Sequence, residues 1–251
     1  MALAHRRGGA LQVGSRDMGR VRCSPDSGVV FGVNTLGLVN VYAKDIAMLP
    51  AWQQQVWAGY TLTPEGGVAA ELFAAQAEGR AARTRAPEAQ LPESIALLND
   101  LAQQRWGFSL FREHEEYERL LRHAHRFRSV NQEGLFALAK DLARLTADSI
   151  DTAALQKLVQ PQKGEQWGSL KTLEHALAIN VGGEDARSLL GPLVGIYNLR
   201  HADAHLPTSD LTAAYALAKV NPAGPFVTQG YELLQSCVAT LEATAAIIKQ
   251  V

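Results

Sequence analysis

The chain has 251 residues, 47% of them hydrophobic and 20% charged, which is long enough for one large domain or two small ones with their own cores. Lys and Arg number 24 against 25 Asp and Glu, so the formal charge is −1 and no strong overall field points to nucleic acid or to a membrane surface. Cys23 and Cys237 are too few and too far apart for a disulfide framework or a zinc site, and no apolar run approaches the length of a membrane span. A cytoplasmic protein with no membrane partner is the expectation.

Residues 1–27 are rich in Arg and Gly without sustained periodicity, which predicts a disordered tail. Arg6-Arg7 is not followed by the apolar stretch that an export signal needs. In residues 28–42, β-branched and aromatic side chains flank Asn34-Thr35-Leu36-Gly37, the pattern of a short β-hairpin. A lone hairpin is marginal in water, so it has to pack on something. Residues 43–59 carry Leu49, Trp52, Val56 and Trp57 at helical steps with Pro50 near the helix start, and both Trp read as core. A turn at residues 63–67 and an Ala-rich helix over 68–82 complete a small α+β segment, 28–82, built of a hairpin and helices. The order Leu-Pro, Trp, Pro-Glu-Gly-Gly, here running from Leu49-Pro50 to Gly66-Gly67, resembles uncharacterised bacterial proteins in which a longer N-terminal domain precedes the same arrangement. That resemblance implies that the chain keeps the last hairpin and helices of such a domain, and it assigns no chemistry to them.

Residues 83–130 read as a linker followed by charged helices. Pro87 and Pro92 with alternating charges mark 83–92 as exposed linker, and Ile95, Leu98 and Leu101 give the helix over 91–106 one apolar face. After a turn at Gly107, residues 111–127 form a helix charged on most sides, whose Arg and His read as solvated. His114-Glu115 begins like a zinc-protease helix, but Glu118 stands where the second His is required. His123 and His125 lie two apart and point to different faces of a helix, so they make no metal site by themselves.

Residues 131–251 contain four apolar stripes at helical spacing. They are Leu135, Leu138, Leu142 and Leu145; Leu170, Leu173 and Leu177; the run 189–199; and Tyr231, Leu234, Val238, Leu241, Ala245 and Ile248. Val181-Gly182-Gly183 closes the second helix, since Gly here can take the left-handed conformation, and Gly191-Pro192 marks a kink or a fresh start in the third. Between the third and fourth helices, Thr208-Ser209-Asp210 caps a short helix over 211–220, and Asn221-Pro222 breaks it. This insertion either covers the end of the third helix or is a surface excursion. Four such stripes need one another, so the fold class is mainly α, a four-helix bundle preceded by the small α+β segment.

The third helix delivers chemistry. Leu189, Leu193, Ile196 and Arg200 recur at three- and four-residue steps, which puts Arg200 at the end of the core-facing stripe. His205 follows five residues on, about 140° further round, so one helix cannot easily aim both at one small target, whereas two copies meeting on a two-fold axis can. Asn198, His201 and Asp203 supply further polar groups; Asp203 is placed to orient Arg200 or to solvate the helix end, and Asn198 and His201 serve equally as surface residues.

An apolar helix ending in Arg200-His201-Ala202-Asp203-Ala204-His205 resembles the Arg-x-x-x-x-His motif of HEPN domains. Those are antiparallel helical bundles, commonly dimeric, and many are metal-independent ribonucleases of bacterial phage defence, stress response and toxin–antitoxin systems. The resemblance implies an HEPN-like bundle over 131–251 and a homodimer through the motif helix, with RNA as substrate and a regulatory or antitoxin partner. It implies His205 moving protons at a ribose 2′-hydroxyl or at the leaving oxygen, and Arg200 stabilising charge on the phosphate, with no cofactor and no metal. Leu206-Pro207 after His205 departs from the subclass in which a Tyr two positions on is modified by a partner nucleotidyltransferase. The 131–251 half carries 9 Lys and Arg against 12 Asp and Glu, which disfavours a broad RNA-binding groove. The competing reading is a non-enzymatic interaction module in which Arg200 and His205 hold an interface or bundle end together. No phosphate-binding loop supports a nucleotide-binding bundle.

Overall fold

The computed structural model describes residues 9–113, 115–202 and 208–250. The chain is mainly helical with one small antiparallel sheet, and it divides into two compact units, Met1–Ala89 and Gln90–Val251.

The first unit is built on a four-stranded meander, β1 (Ala10–Val13), β2 (Met18–Ser24), β3 (Ser27–Val33) and β4 (Val39–Val41), in spatial order 1-2-3-4. The expected hairpin is the β3–β4 pair, in register at Phe31–Val41 and Val33–Val39. Its turn is organised by the Asn34 side chain, which accepts from the Leu36 and Leu38 N–H groups and donates to the Glu65 and Gly67 carbonyls at 2.7 and 3.1 Å. Helices α1 (Ala43–Ala47), α2 (Ala51–Gly59) and α3 (Ala70–Ala77) follow. At Gly32 a Cβ would lie 2.5 Å from the Ala69 Cβ and 2.9 Å from that of Leu72, so the glycine is what allows α3 to lie on β3.

The disordered tail expected over 1–27 is not what the described part of it forms, since β1 and β2 occupy 10–13 and 18–24; residues 1–8 lie outside the described residues. Val13 and Val21 are buried with Val29 and Phe31, and Glu71 of α3 fixes the turn between the two strands. Its carboxylate accepts from Ser15 Oγ at 2.7 Å, the Asp17 N–H at 2.9 Å and Thr84 Oγ1 at 2.6 Å. Burial pushes this carboxyl up, but the hydrogen bonds from Thr84, Ser15 and Asp17, with Arg16 nearby, outweigh it and hold the group below the usual carboxylate range. A depressed folded-state value stabilises the fold above the unfolded value and ceases to do so as pH falls through the folded one. Glu71→Gln is therefore expected to cost this unit about 1–3 kcal/mol at pH 7 and progressively less below pH 4. Amide exchange of β1 and β2 in the full chain, compared with wild type at each pH, measures it; equal protection at pH 7 would refute it.

The second unit begins earlier than residue 131. Helix α4 (Pro87–Trp106) starts with Pro at its first position and runs through Pro92, where sequence places linker. Its buried stripe of Leu91, Ile95, Leu98 and Ala102 joins the same core as the later helices, which outweighs the one main-chain hydrogen bond that Pro92 forgoes. The segment expected to be one solvated helix is shorter and partly internal. Helix α5 (Tyr117–His123) buries Leu120, and a single 3-10 turn at Arg126–Arg128 buries Arg126 and Phe127, with the Arg126 guanidinium 4.5 Å above the Tyr231 ring.

Helices α6 (Gln132–Leu145), α7 (Thr152–Leu155), α8 (Ser169–Val181), α9 (Gly183–Leu199), α10 (Thr208–Leu217) and α11 (Phe226–Lys249) complete the unit. The Asn131 side chain caps α6 by accepting from the Gly134 N–H at 2.8 Å, and Asp151 caps α7 in the same way. Gly182, at φ 85°, both ends α8 and starts α9, so the two helices are joined by one residue. Pro192 neither ends nor restarts α9, which runs unbroken to Leu199. Helix α9 touches α6, α8, α10 and α11, and from Leu189 to Arg200 none of its residues is exposed. The insertion after it is packed against it: at Gly195 of α9 the backbone at the end of α10 comes so near that a Cβ would stand 2.3 Å from the nitrogen of Ala218, the residue just after that helix.

Candidate functional site

The carbonyl ladder of α9 runs out at Arg200, whose N–H still donates to the Ile196 carbonyl at 3.2 Å. The Arg200 side chain is 18% exposed and held on three sides. Its guanidinium carbon lies 3.9 Å from the centroid of the Tyr197 ring, one helical turn back. Its Nε–H donates to Nε2 of His201 at 2.9 Å, a contact that needs the His201 tautomer with its proton on Nδ1. Its Nη1 donates to the carboxylate of Asp148, in the turn after α6. The His201 ring in turn meets Tyr197 edge to face, centroids 5.4 Å apart. A guanidinium carries five N–H donors, so this arrangement leaves several without a partner among the described residues.

Of the sequence candidates, Arg200 and His201 are thus in direct contact. Asn198 is half-buried and contributes its carbonyl, which accepts from the His201 N–H at 3.0 Å. Asp203 and His205 lie outside the described residues. The carboxylate on Arg200 among the described residues is that of Asp148.

Three residues of this place have no local signal as site residues or a weak one. Tyr197 is recognisable as an aromatic three positions before Arg200 on the same helix. Asp148 and Arg112 are brought in by tertiary contacts. Arg112 Nη2 donates to the Asp148 main-chain carbonyl at 2.7 Å, while the Arg112 N–H donates to the Ser149 carbonyl at 2.7 Å beside the Phe111–Ile150 bridge. Among the described residues no group of three His, Cys, Asp or Glu side chains is placed to hold a metal ion, and no helix is long and apolar enough to cross a membrane.

Set against known proteins, the chain matches no family model, no curated protein and no solved structure.

Proposed function

We propose that the second unit is a metal-independent, HEPN-like endoribonuclease. In this reading His205 accepts the proton of a ribose 2′-hydroxyl or delivers one to the departing 5′-oxygen. The 2′-oxygen attacks the adjacent phosphorus, the bond to the 5′-oxygen breaks, and a 2′,3′-cyclic phosphate and a free 5′-hydroxyl remain. Arg200 donates to the phosphate oxygens as charge grows on them. DNA, which has no 2′-hydroxyl, is not cut.

The observation that carries the reading is the state of Arg200. It is a mostly buried cation at the end of an apolar helix, fixed by Tyr197, His201 and Asp148, with N–H donors to spare. A guanidinium fixed in this way needs little reorganisation when a phosphate arrives. The HEPN resemblance adds the biological setting, bacterial defence or toxin–antitoxin control with a restraining partner, and a homodimer. Residues 189–200 are buried or half-buried, so in this reading a second copy meets α9 at its Arg200 end.

A second reading, a non-enzymatic interaction module, is favoured by the Asp148–Arg200 ion pair, since such a pair also serves simply to tie the end of α9 to the turn after α6. Purified wild type, Arg200→Ala and His205→Ala incubated with mixed cellular RNA in EDTA separate the two. Cleavage by wild type with cyclic-phosphate ends, reduced about 100-fold or more in both variants, is the expected result. Intact RNA with all three proteins, together with a loss of thermal stability in Arg200→Ala, would leave the interaction module.

A further inference from the structure

Asp148 accepts from two guanidinium groups, not one. Arg200 reaches its carboxylate from the end of α9, and Arg112 donates to its main-chain carbonyl. The backbone that carries Arg112 is itself fixed. The Phe111 N–H donates to Asn99 Oδ1 at 2.8 Å, the Arg112 N–H to the Ser149 carbonyl at 2.7 Å, and the Asp151 N–H to the Leu110 carbonyl at 2.8 Å. Both arginines therefore start from rigid positions and converge on one residue.

One carboxylate faces Arg200, while Arg112 is bonded to a neutral main-chain carbonyl and, among the described residues, is paired with no carboxylate and keeps donors to spare. Arg112 and His201 are exposed, so the place is open to solvent and suits a chain laid across it better than a small molecule that must be enclosed. Planar guanidinium forks match phosphate oxygens in pairs. The unit's acidic balance argues against a long basic groove, which makes a short two-arginine grip the form that phosphate binding can take here.

We infer that Arg112 and Arg200 form a phosphate clamp across Asp148, and that it holds adjacent phosphates of single-stranded RNA. Arg200 takes the phosphate to be cut and Arg112 its neighbour. The clamp rests on the RNA-cutting reading for its ligand, and it adds a residue that binds without taking part in bond breaking.

The test uses the full chain and a fluorescein-labelled 2′-O-methyl oligouridylate, which lacks the attacking hydroxyl and so is not consumed. Kd is measured by anisotropy over a salt series for wild type, Arg112→Ala and Arg112→Lys, with melting curves to show that the exposed substitutions leave the fold intact. Arg112→Ala is expected to weaken binding about tenfold and to lower the slope of log Kd against log salt by about 0.7 to 1, the value of one phosphate contact. Arg112→Lys is expected to keep the slope and recover part of the affinity. No binding by wild type, or an unchanged slope in Arg112→Ala, overturns the clamp. Cleavage of unmodified RNA separates this from the parent reading. Wild type that binds through Arg112 but does not cut keeps the clamp and loses the nuclease, whereas cutting with the same KM in wild type and Arg112→Ala does the reverse.

Discussion

Gly195→Ala is expected to destabilise the helical unit by about 2–3 kcal/mol, although Ala is the better helix former by about 1 kcal/mol. The added methyl would sit 2.3 Å from the Ala218 nitrogen, 2.8 Å from the Ala214 carbonyl oxygen and 2.8 Å from the Ala218 Cα. All three neighbours are backbone, so no side chain can turn aside, and α10 has to move away from α9 as a body. Ala214 and Ala218 are fully buried against α9, and the shift would open that seam. The slowest amides of α11 report opening of the whole unit, and each 1.4 kcal/mol speeds their exchange about tenfold. Unchanged exchange in Gly195→Ala would mean that α10 does not lie against Gly195 in solution.

The adjacent residue gives the opposite error and a larger effect. Ile196 is 0% exposed and belongs to the main core cluster of the unit with Leu193 and Leu199. Ile196→Ala removes the hydrophobic transfer energy and leaves a cavity that the surrounding helices fill only partly, for a loss of about 2–5 kcal/mol. Ile196 also lies one turn before Arg200 and its carbonyl accepts the Arg200 N–H, so slackness here reaches the guanidinium. Exchange of the α11 amides is expected to rise about 30-fold or more, and a rise under threefold would show that the site collapses without cost.

Much of the second unit can be read from the chain because its information is periodic. The stripes of α6, α8 and α11 predict helices close to where they lie, and Val181-Gly182-Gly183 marks the α8 end. The Asn34–Gly37 turn was equally legible, since Asn and Gly act on their own backbone. What failed was non-local. Strand β1 has only four residues and β2 interleaves Gly and Arg with its apolar positions, and the turn between them is pinned by Glu71, 56 residues from Ser15. Arg126 reads as solvated until Tyr231 is seen beneath it. At the candidate site the motif residues Arg200 and His201 were visible as a pattern, but Asp148 was not, because nothing around Ala147-Asp148-Ser149 distinguishes it from an ordinary helix-ending turn.

The single residue between α8 and α9 also orders events in time. Closing a loop costs entropy that grows with its length, and a one-residue connection costs almost nothing, so these two helices can pair as soon as both exist. The Asp148–Arg200 contact closes 52 residues and the Arg112–Asp148 contact 36. A chain that has formed only its α8–α9 hairpin therefore carries Arg200 without Asp148 or Arg112 beside it. Molecules in which α9 has not yet packed on α6 lack the assembled arginine pair, and whatever that pair does begins only once those helices have met.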